Sequence, residues 1–399
     1  MAKEDVDLVV DRVQLSDALA RIGKVMRPKA KDAAIRKVVY CVPVREEDGE
    51  DHLDLYGTTE AISILSRGLP CRIRNPIPPF AVDLSVLTKF SAVSGGNEVG
   101  FIVDPASPKI YLFRGTAKMQ VAYMLGEDYQ EYLGSDDPTA SPDMAEAVDI
   151  RDLPTFRGLL DIMAECSDPN RPYLDGVFTD GDGQWMSTDG FRGLILTMDD
   201  PDYKWGVKAL IPAEFLNAIS ILPGKVARIL WADTYLWATD ADDSTVIRSV
   251  VHSASGDHFP AETLLSVVRR AEENNVLAAT ISVAELDAAL AQAQSFFGTD
   301  ALCTVKFGKT KMVLSVEGEN QDMIRDSVAY APADGSEPLR GFDFRIKLPV
   351  LGILSKLYDG DFVLRFQDAS HPILSDAKSL GMTVILTPYH KQVPTADEE

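Results

Sequence analysis

The stretch Met186-Ser187-Thr188-Asp189-Gly190-Phe191-Arg192-Gly193-Leu194-Ile195 reads as a strand end, a tight turn and a second strand. The turn falls at Asp189-Gly190, a pair that favours the short connections of hairpins. A phenyl ring and a guanidinium follow directly, in apolar surroundings. They add little to a plain hairpin and suit the lining of a groove. What such a groove serves depends on where this hairpin lies in the whole chain.

Outward from it, the apolar spacing repeats. Helices are expected after Ser16 (Leu19, Ile22, Met26), after Asp152 (Phe156, Leu160, Met163) and after Ser282 (Leu286, Leu290, Ala293). All three starting residues favour N-caps, and Ser282 with Glu285 spells a capping box. A second set starts near Asp83 (Leu84, Leu87, Phe90), Pro212 (Phe215, Ile219, Leu222) and Leu348 (Leu351, Leu354). The first set recurs after 136 and 130 residues (16 to 152 to 282), the second after 129 and 136 (83 to 212 to 348). Short β-like runs fill the intervals, so each unit reads strand, helix, three strands, twice over.

The expected fold is therefore α+β, with three tandem domains at 1–140, 145–268 and 277–391 and a polar tail at 392–399. Each domain packs two helices on antiparallel sheet. Asp136–Asp143 and Arg269–Asn275 read as linkers. Such a row leaves a sheet edge at either end, and a homodimer closing end to end into a ring pairs both.

Composition narrows the class. With 399 residues, 46% hydrophobic and 25% charged, the chain fits a soluble multi-domain protein. No apolar run reaches the roughly 18 residues of a membrane span, and the polar, acidic N-terminus is not that of a signal peptide. Cys41, Cys71, Cys166 and Cys303 form no CxxC, which suits structural thiols in the reducing cytoplasm. Five scattered histidines offer no zinc spacing, so no metal is expected. A net charge of −22 argues against a broad nucleic-acid surface and leaves room for a local basic strip.

Catalytic motifs are missing. There is no Walker loop and no GxGxxG, and Gly95-Gly96 follows a helix end. Asp180-Gly181-Asp182-Gly183 lacks the length and terminal Glu of a calcium loop. Asp240, Asp242 and Asp243 fall in a turn. The chain reads as a non-enzyme without a cofactor.

Thr188-Asp189-Gly190-Phe191-Arg192, preceded by Pro172-Tyr173-Leu174-Asp175-Gly176-Val177 and followed by Phe259-Pro260, resembles the bacterial DNA polymerase III β sliding clamp family. That family carries Thr-Asp-Gly-His-Arg-Leu in its central domain, downstream of a Tyr-Leu-Asn-Gly-like strand. The resemblance runs from about Val6 to Tyr389 and is strongest in the middle unit. It implies a head-to-tail dimeric ring around double-stranded DNA, with helices inside and sheets outside. It also implies a peptide groove between the second and third domains, where polymerases, the clamp loader and repair proteins dock short linear motifs.

Carried over by motif, the groove uses Leu174, Thr188, Gly190, Phe191, Arg192, Pro260 and Leu264, then Tyr330, Pro372, Ile385, Leu386, Pro388 and Tyr389. Leucine and phenylalanine anchors need such aliphatic and aromatic walls with a few polar edges. The sequence departs from the family at Phe191, where histidine is usual, and at Gly193, where leucine is usual. Thr387-Pro388-Tyr389-His390 replaces a Met-Pro-Met-Arg-like ending. The expected groove is retuned.

The DNA-facing candidates are Arg21, Lys24, Arg27, Lys89, Arg157 and Lys356 on helices, with Lys29, Lys31 and Arg171 on loops. Asp17, Asp83, Asp152, Asp161, Glu165, Glu214, Glu285 and Asp287 outnumber the helical cations. Weak, salt-sensitive phosphate contact is expected, with retention by topology. Met119 is expected to meet Phe296 and Phe297 of a second copy at the ring joint. The alternative is an acidic interaction hub that keeps the groove and no longer retains DNA.

Overall fold

The computed structural model describes residues 6–27, 37–46, 50–59, 61–93, 95–103, 109–133, 147–148, 154–201, 204–222, 226–232, 235–251, 257–318, 322–333, 336, 339–377 and 380–389. They divide into two compact units. Residues 1–155 and 214–251 make one, and 156–213 and 252–399 make the other. The middle third of the chain thus contributes to both units.

In chain order the elements begin β1 (Leu8–Asp11), α1 (Arg12–Met26), β2 (Val38–Val44), β3 (His52–Thr58), β4 (Ile62–Ile73), β5 (Phe80–Asp83) and α2 (Leu84–Ala92). Next come β6 (Glu98–Val103), β7 (Lys109–Arg114), β8 (Ala117–Leu125), α3 (Gly126–Leu133), β9 (Ala147–Val148) and α4 (Pro154–Ala164). The middle continues with β10 (Gly176–Thr179), β11 (Gln184–Thr188), β12 (Arg192–Thr197), β13 (Ala209–Pro212) and α5 (Ala213–Ile219). Then follow β14 (Val226–Ala232), β15 (Tyr235–Asp240), β16 (Thr245–Val250), α6 (Ala261–Asn274), β17 (Leu277–Ser282) and α7 (Val283–Phe297). The last elements are β18 (Leu302–Phe307), β19 (Lys311–Glu317), β20 (Met323–Pro332), β21 (Asp343–Lys347), α8 (Leu348–Leu357), β22 (Asp361–Phe366), β23 (Ile373–Ala377) and β24 (Met382–Leu386).

Each unit is built on one 12-stranded sheet. The first runs β1-β6-β7-β8-β5-β2-β3-β4-β16-β15-β14-β9, with β1 also pairing β4. The second runs β13-β10-β11-β12-β24-β23-β22-β17-β20-β19-β18-β21. Each sheet contains a long-range antiparallel seam of its own. Ile64 of β4 faces Ile247 of β16, and Ile195 of β12 faces Thr383 of β24. Strands such as β18 and β19 alternate buried and open residues, the pattern of a sheet with one face in a core.

The helices cover the buried faces. Leu15, Leu19, Ile22 and Met26 of α1 are buried at helical spacing. α1 starts earlier than Ser16, because Asp11 Oδ1 accepts from the backbone N–H of Val13 at 2.9 Å and of Gln14 at 3.0 Å. Asp83 caps α2 as expected, accepting from Val86 N. The capping box at Ser282 does not form. Glu285 accepts instead from Ala329 N at 2.7 Å, on the open edge of β20. Arg269–Asn275, expected as a linker, is largely the last turns of α6, whose Leu264 and Ala271 are buried. Asp136–Asp143 and Asp152 lie outside the described residues.

Cys41, Cys166 and Cys303 are buried and unpaired. Burial pushes the Cys166 and Cys303 thiols up to about 12, so they stay protonated and unreactive. Among the described residues no helix is long and apolar enough to cross a membrane.

Candidate functional site

The Thr188–Arg192 turn is built by its own side chains. Thr188 Oγ1 donates to the Arg192 carbonyl at 2.7 Å and accepts from Gly190 N at 3.0 Å. Asp189 Oδ1 accepts from the N–H groups of Phe191 and Arg192, both at 2.9 Å. Gly190 takes φ +85°, the left-handed region that favours glycine. A Cβ there would also lie 2.9 Å from Arg171 Nη2, which donates to the Asp189 carbonyl. Arg171 Nε in turn donates to Asp168 Oδ2 at 2.6 Å. The Asn170 backbone N–H, and then Arg171, hold the Asp168 carboxyl below the usual range, so this brace stays ionised at neutral pH.

Arg192 ties the turn to two helices. Its Nε donates to Asp189 Oδ2 at 2.9 Å, its Nη1 to the Pro349 carbonyl at 3.0 Å and its Nη2 to the Glu165 carbonyl. All three guanidinium nitrogens are engaged within the chain, and Thr188 is likewise occupied by the turn. Both were expected as polar edges for a peptide. In the structure these groups fix the shape of the turn.

The β12–β24 seam brings distant residues together. Leu174, Leu264 and Ile385 belong to one packed cluster with Phe178, Met186 and Phe259. The Phe178 and Phe259 rings stack at 4.8 Å. Gly193 faces Ile385 in the seam. A Cβ at position 193 would sit 3.2 Å from Leu264 Cδ2 and 3.4 Å from Ile385 Cδ1. Leu264 and Ile385 therefore fill the space a side chain at Gly193 would need. Leu174, Leu264, Ile385 and Leu386 are at most 9% exposed, so the aliphatic floor is closed here. Pro388 is also buried, and Pro260 and Pro372 are half-buried.

What stays open is an aromatic rim. Phe191 and Tyr389 are each 37% exposed, and Tyr173 is 40% exposed. The Phe191 carbonyl accepts from Thr387 N at 2.7 Å, and Tyr389 N donates to the Arg345 carbonyl at 2.6 Å. Lys347 Nζ lies 5.4 Å from the Phe191 ring centre and the Arg345 guanidinium 6.0 Å from that of Tyr389. Phe191 and Tyr389 thus each carry a cation. Sequence reasoning missed Arg345 and Lys347. Their alternation with buried Phe344 and Ile346 marks them as facing out, but nothing local marks them as neighbours of the turn. Tyr330 lies apart from the aliphatic cluster. It packs edge-on against Phe307 at 4.9 Å and its hydroxyl donates to the Gly308 carbonyl.

The candidate DNA-facing cations are partly neutralised. Lys356 pairs with Glu165, and Arg171 with Asp168. Beside Arg157, burial raises the Asp161 pKa; Arg157 opposes the rise and Glu165 adds to it. Arg27 ends α1 at φ 39° with its Nε on the Lys24 carbonyl, and Arg21 is half-buried. Lys24 and Lys89 are exposed. Lys29 and Lys31 lie outside the described residues.

β8 and β20 each contain a long stretch paired on one side only. In β8, 117–122 pair only with β7, before 123–125 turn to β5. In β20, 323–329 pair only with β19, before 330–332 turn to β17. Met119 on β8 is 38% exposed and Phe296 at the end of α7 is 72% exposed. Phe297 is half-buried against Gly318, just ahead of β20.

No protein-family model and no curated protein sequence matches the chain. Solved structures do. A putative DNA polymerase III β subunit from Eubacterium rectale is 15% identical, with a TM-score of 0.75 over 96% of this chain and 99% of that one. The sliding clamp from Bartonella birtlesii, solved with griselimycin, is 16% identical, with a TM-score of 0.75 over 97% and 100%. The Bacillus subtilis clamp is 15% identical, with a TM-score of 0.74 over 96% and 99%. Over nearly its whole length, this chain has the fold of the DNA polymerase III β sliding clamps.

Proposed function

We propose that the chain is a DNA sliding clamp. It would encircle duplex DNA as a homodimeric ring of three tandem domains per chain, and tether polymerase and clamp loader through short peptide motifs. It would act in the cytoplasm without a cofactor, and a separate ATP-driven loader would open it. The observation that carries this is the repetition of one seam. The fourth strand of each sequence repeat pairs with the last strand of the next: β4 with β16, then β12 with β24. Continuing that rule, β20 would pair with β8 of a second copy, and each of these strands has a long stretch paired on one side only. Repeating this contact by two-fold symmetry closes a ring.

Circular and linear duplexes of the same sequence test the reading. The protein should stay with the circle through a moderate-salt wash and be lost after a single cut. Equal retention on both forms would sink the topological reading. The hub alternative is favoured by the paired cations Lys356 and Arg171, and it expects retention on neither form.

Phe296→Asp should weaken the dimer about 100-fold or more. It removes a large apolar contact and puts a charge into a closing interface. The measurement is mass by sedimentation across a dilution series. An unchanged dimer would remove Phe296 from the joint.

A further inference from the structure

The open face of β21-β18-β19-β20 is a cleft of about 940 Å³ that carries an unusual row. Cross-strand register aligns Arg345 with Thr304, Thr304 with Ser315, and Ser315 with Arg325. Two arginines thus flank two hydroxyls, and Lys306 adds a third cation on the same face. Lys306 faces Asp343 across the strands. Among the described residues neither Arg345 nor Arg325 forms an ion pair. Arg345 sits over Tyr389, and Arg325 reaches only the Met323 sulfur. The cleft also holds Asp343 and Glu317, so Lys306, Arg325 and Arg345 leave it a local excess of positive charge in a chain of net charge −22.

This strip is continuous with the aromatic rim. Arg345 belongs to both, and Lys347, on the same strand, caps Phe191. We propose that the face reads an acidic flank of the partner peptide, whose hydrophobic anchor engages the rim beside Phe191 and Tyr389. This rests on the groove reading above. Three strand spacings separate Arg345 from Arg325, about 14 Å. Four or five extended residues cover that distance. The partner would therefore carry its aspartates or glutamates within about five residues of the anchor. Each carboxylate would meet a guanidinium fork or a Thr304 or Ser315 hydroxyl. The β20 edge used for ring closure lies beside this face, not on it.

Fluorescence anisotropy with the full chain tests the proposal. One labelled peptide carries a Leu-Phe anchor alone; two others add three aspartates before or after it. One acidic peptide should bind about tenfold tighter at low salt, and the gain should shrink as salt rises. R325E should abolish the gain and leave the anchor-only peptide unchanged. Equal binding of all three peptides overturns the acidic flank and leaves the groove standing. No binding by any of them overturns both. A duplex oligonucleotide whose binding R325E abolishes, with the peptides unaffected, would assign the strip to nucleic acid and overturn the proposal.

Discussion

Gly176→Ala should lower the melting temperature of the unit that contains it by about 10 °C or more. A Cβ at this position would stand 2.1 Å from the Ile211 carbonyl oxygen and 2.9 Å from its carbon. Both are backbone atoms of β13, which pairs with β10 from Gly176↔Pro212 to Thr179↔Ala209. No rotamer relieves the clash, so the strands must part. Parting gives up ladder bonds worth about 1 kcal/mol each and shifts Phe178, which stacks on Phe259 in the cluster with Leu174 and Leu264. A loss above about 4 kcal/mol puts this change among the severe ones. In a unit of this size it corresponds to a shift of roughly 8–16 °C. Gly158→Ala in α4 is the control. Nothing lies within 4 Å of its would-be Cβ, so helix propensity should leave it neutral or slightly stabilised. A Gly176→Ala melt within about 2 °C of the parent would refute the contact.

The glycine of Tyr173-Leu174-Asp175-Gly176 was legible as a motif, and the approach of Ile211 is its physical reason. Other elements were legible for local reasons. Helices start at Asp83, where apolar spacing and a cap agree, and at Leu348, where apolar spacing and Pro349 in the first turn agree. α1 was misplaced because Ser16 sits before a clear apolar stripe, while Asp11 lies a full turn ahead of the first buried residue, Leu15. The polar run at Arg269–Asn275 hid a helix whose buried face is carried by Leu264 and Ala271. Glu285 was read as a cap because it follows Ser282 at the right spacing; a strand edge far along the chain competes for it and holds it. The clustering of the groove candidates was not legible from local pattern. Leu174, Leu264 and Ile385 meet only through the β12–β24 seam, and only the family resemblance placed them together in advance. For Tyr330 nothing local fixes which way a strand residue faces. The register that sets Tyr330 opposite Ile281 sends its ring to Phe307.

Arg192→Met should destabilise the same unit by about 3–5 kcal/mol, the range for removing one partner from a buried charged network. The guanidinium is 12% exposed and holds three acceptors from three parts of the chain. Without it, the Glu165 and Pro349 carbonyls lose a charged donor near two helix ends, and Asp189 keeps its charge without a counterion. Arg192→Lys should recover little, since an ammonium cannot reproduce a planar fork that reaches three acceptors at once. Phe191→Ala separates stability from binding at the same turn. Its ring is 37% exposed and packs under Lys347, so its removal should cost under about 1 kcal/mol in folding while reducing affinity for a hydrophobic peptide about tenfold or more. Denaturant melts and peptide anisotropy on the three variants distinguish the roles. If Arg192→Met melts like the parent and only peptide binding falls, Arg192 is a direct peptide contact. If the melt falls for Arg192→Met and Arg192→Lys alike, and binding alone falls for Phe191→Ala, the arginine builds the wall and the phenylalanine meets the partner.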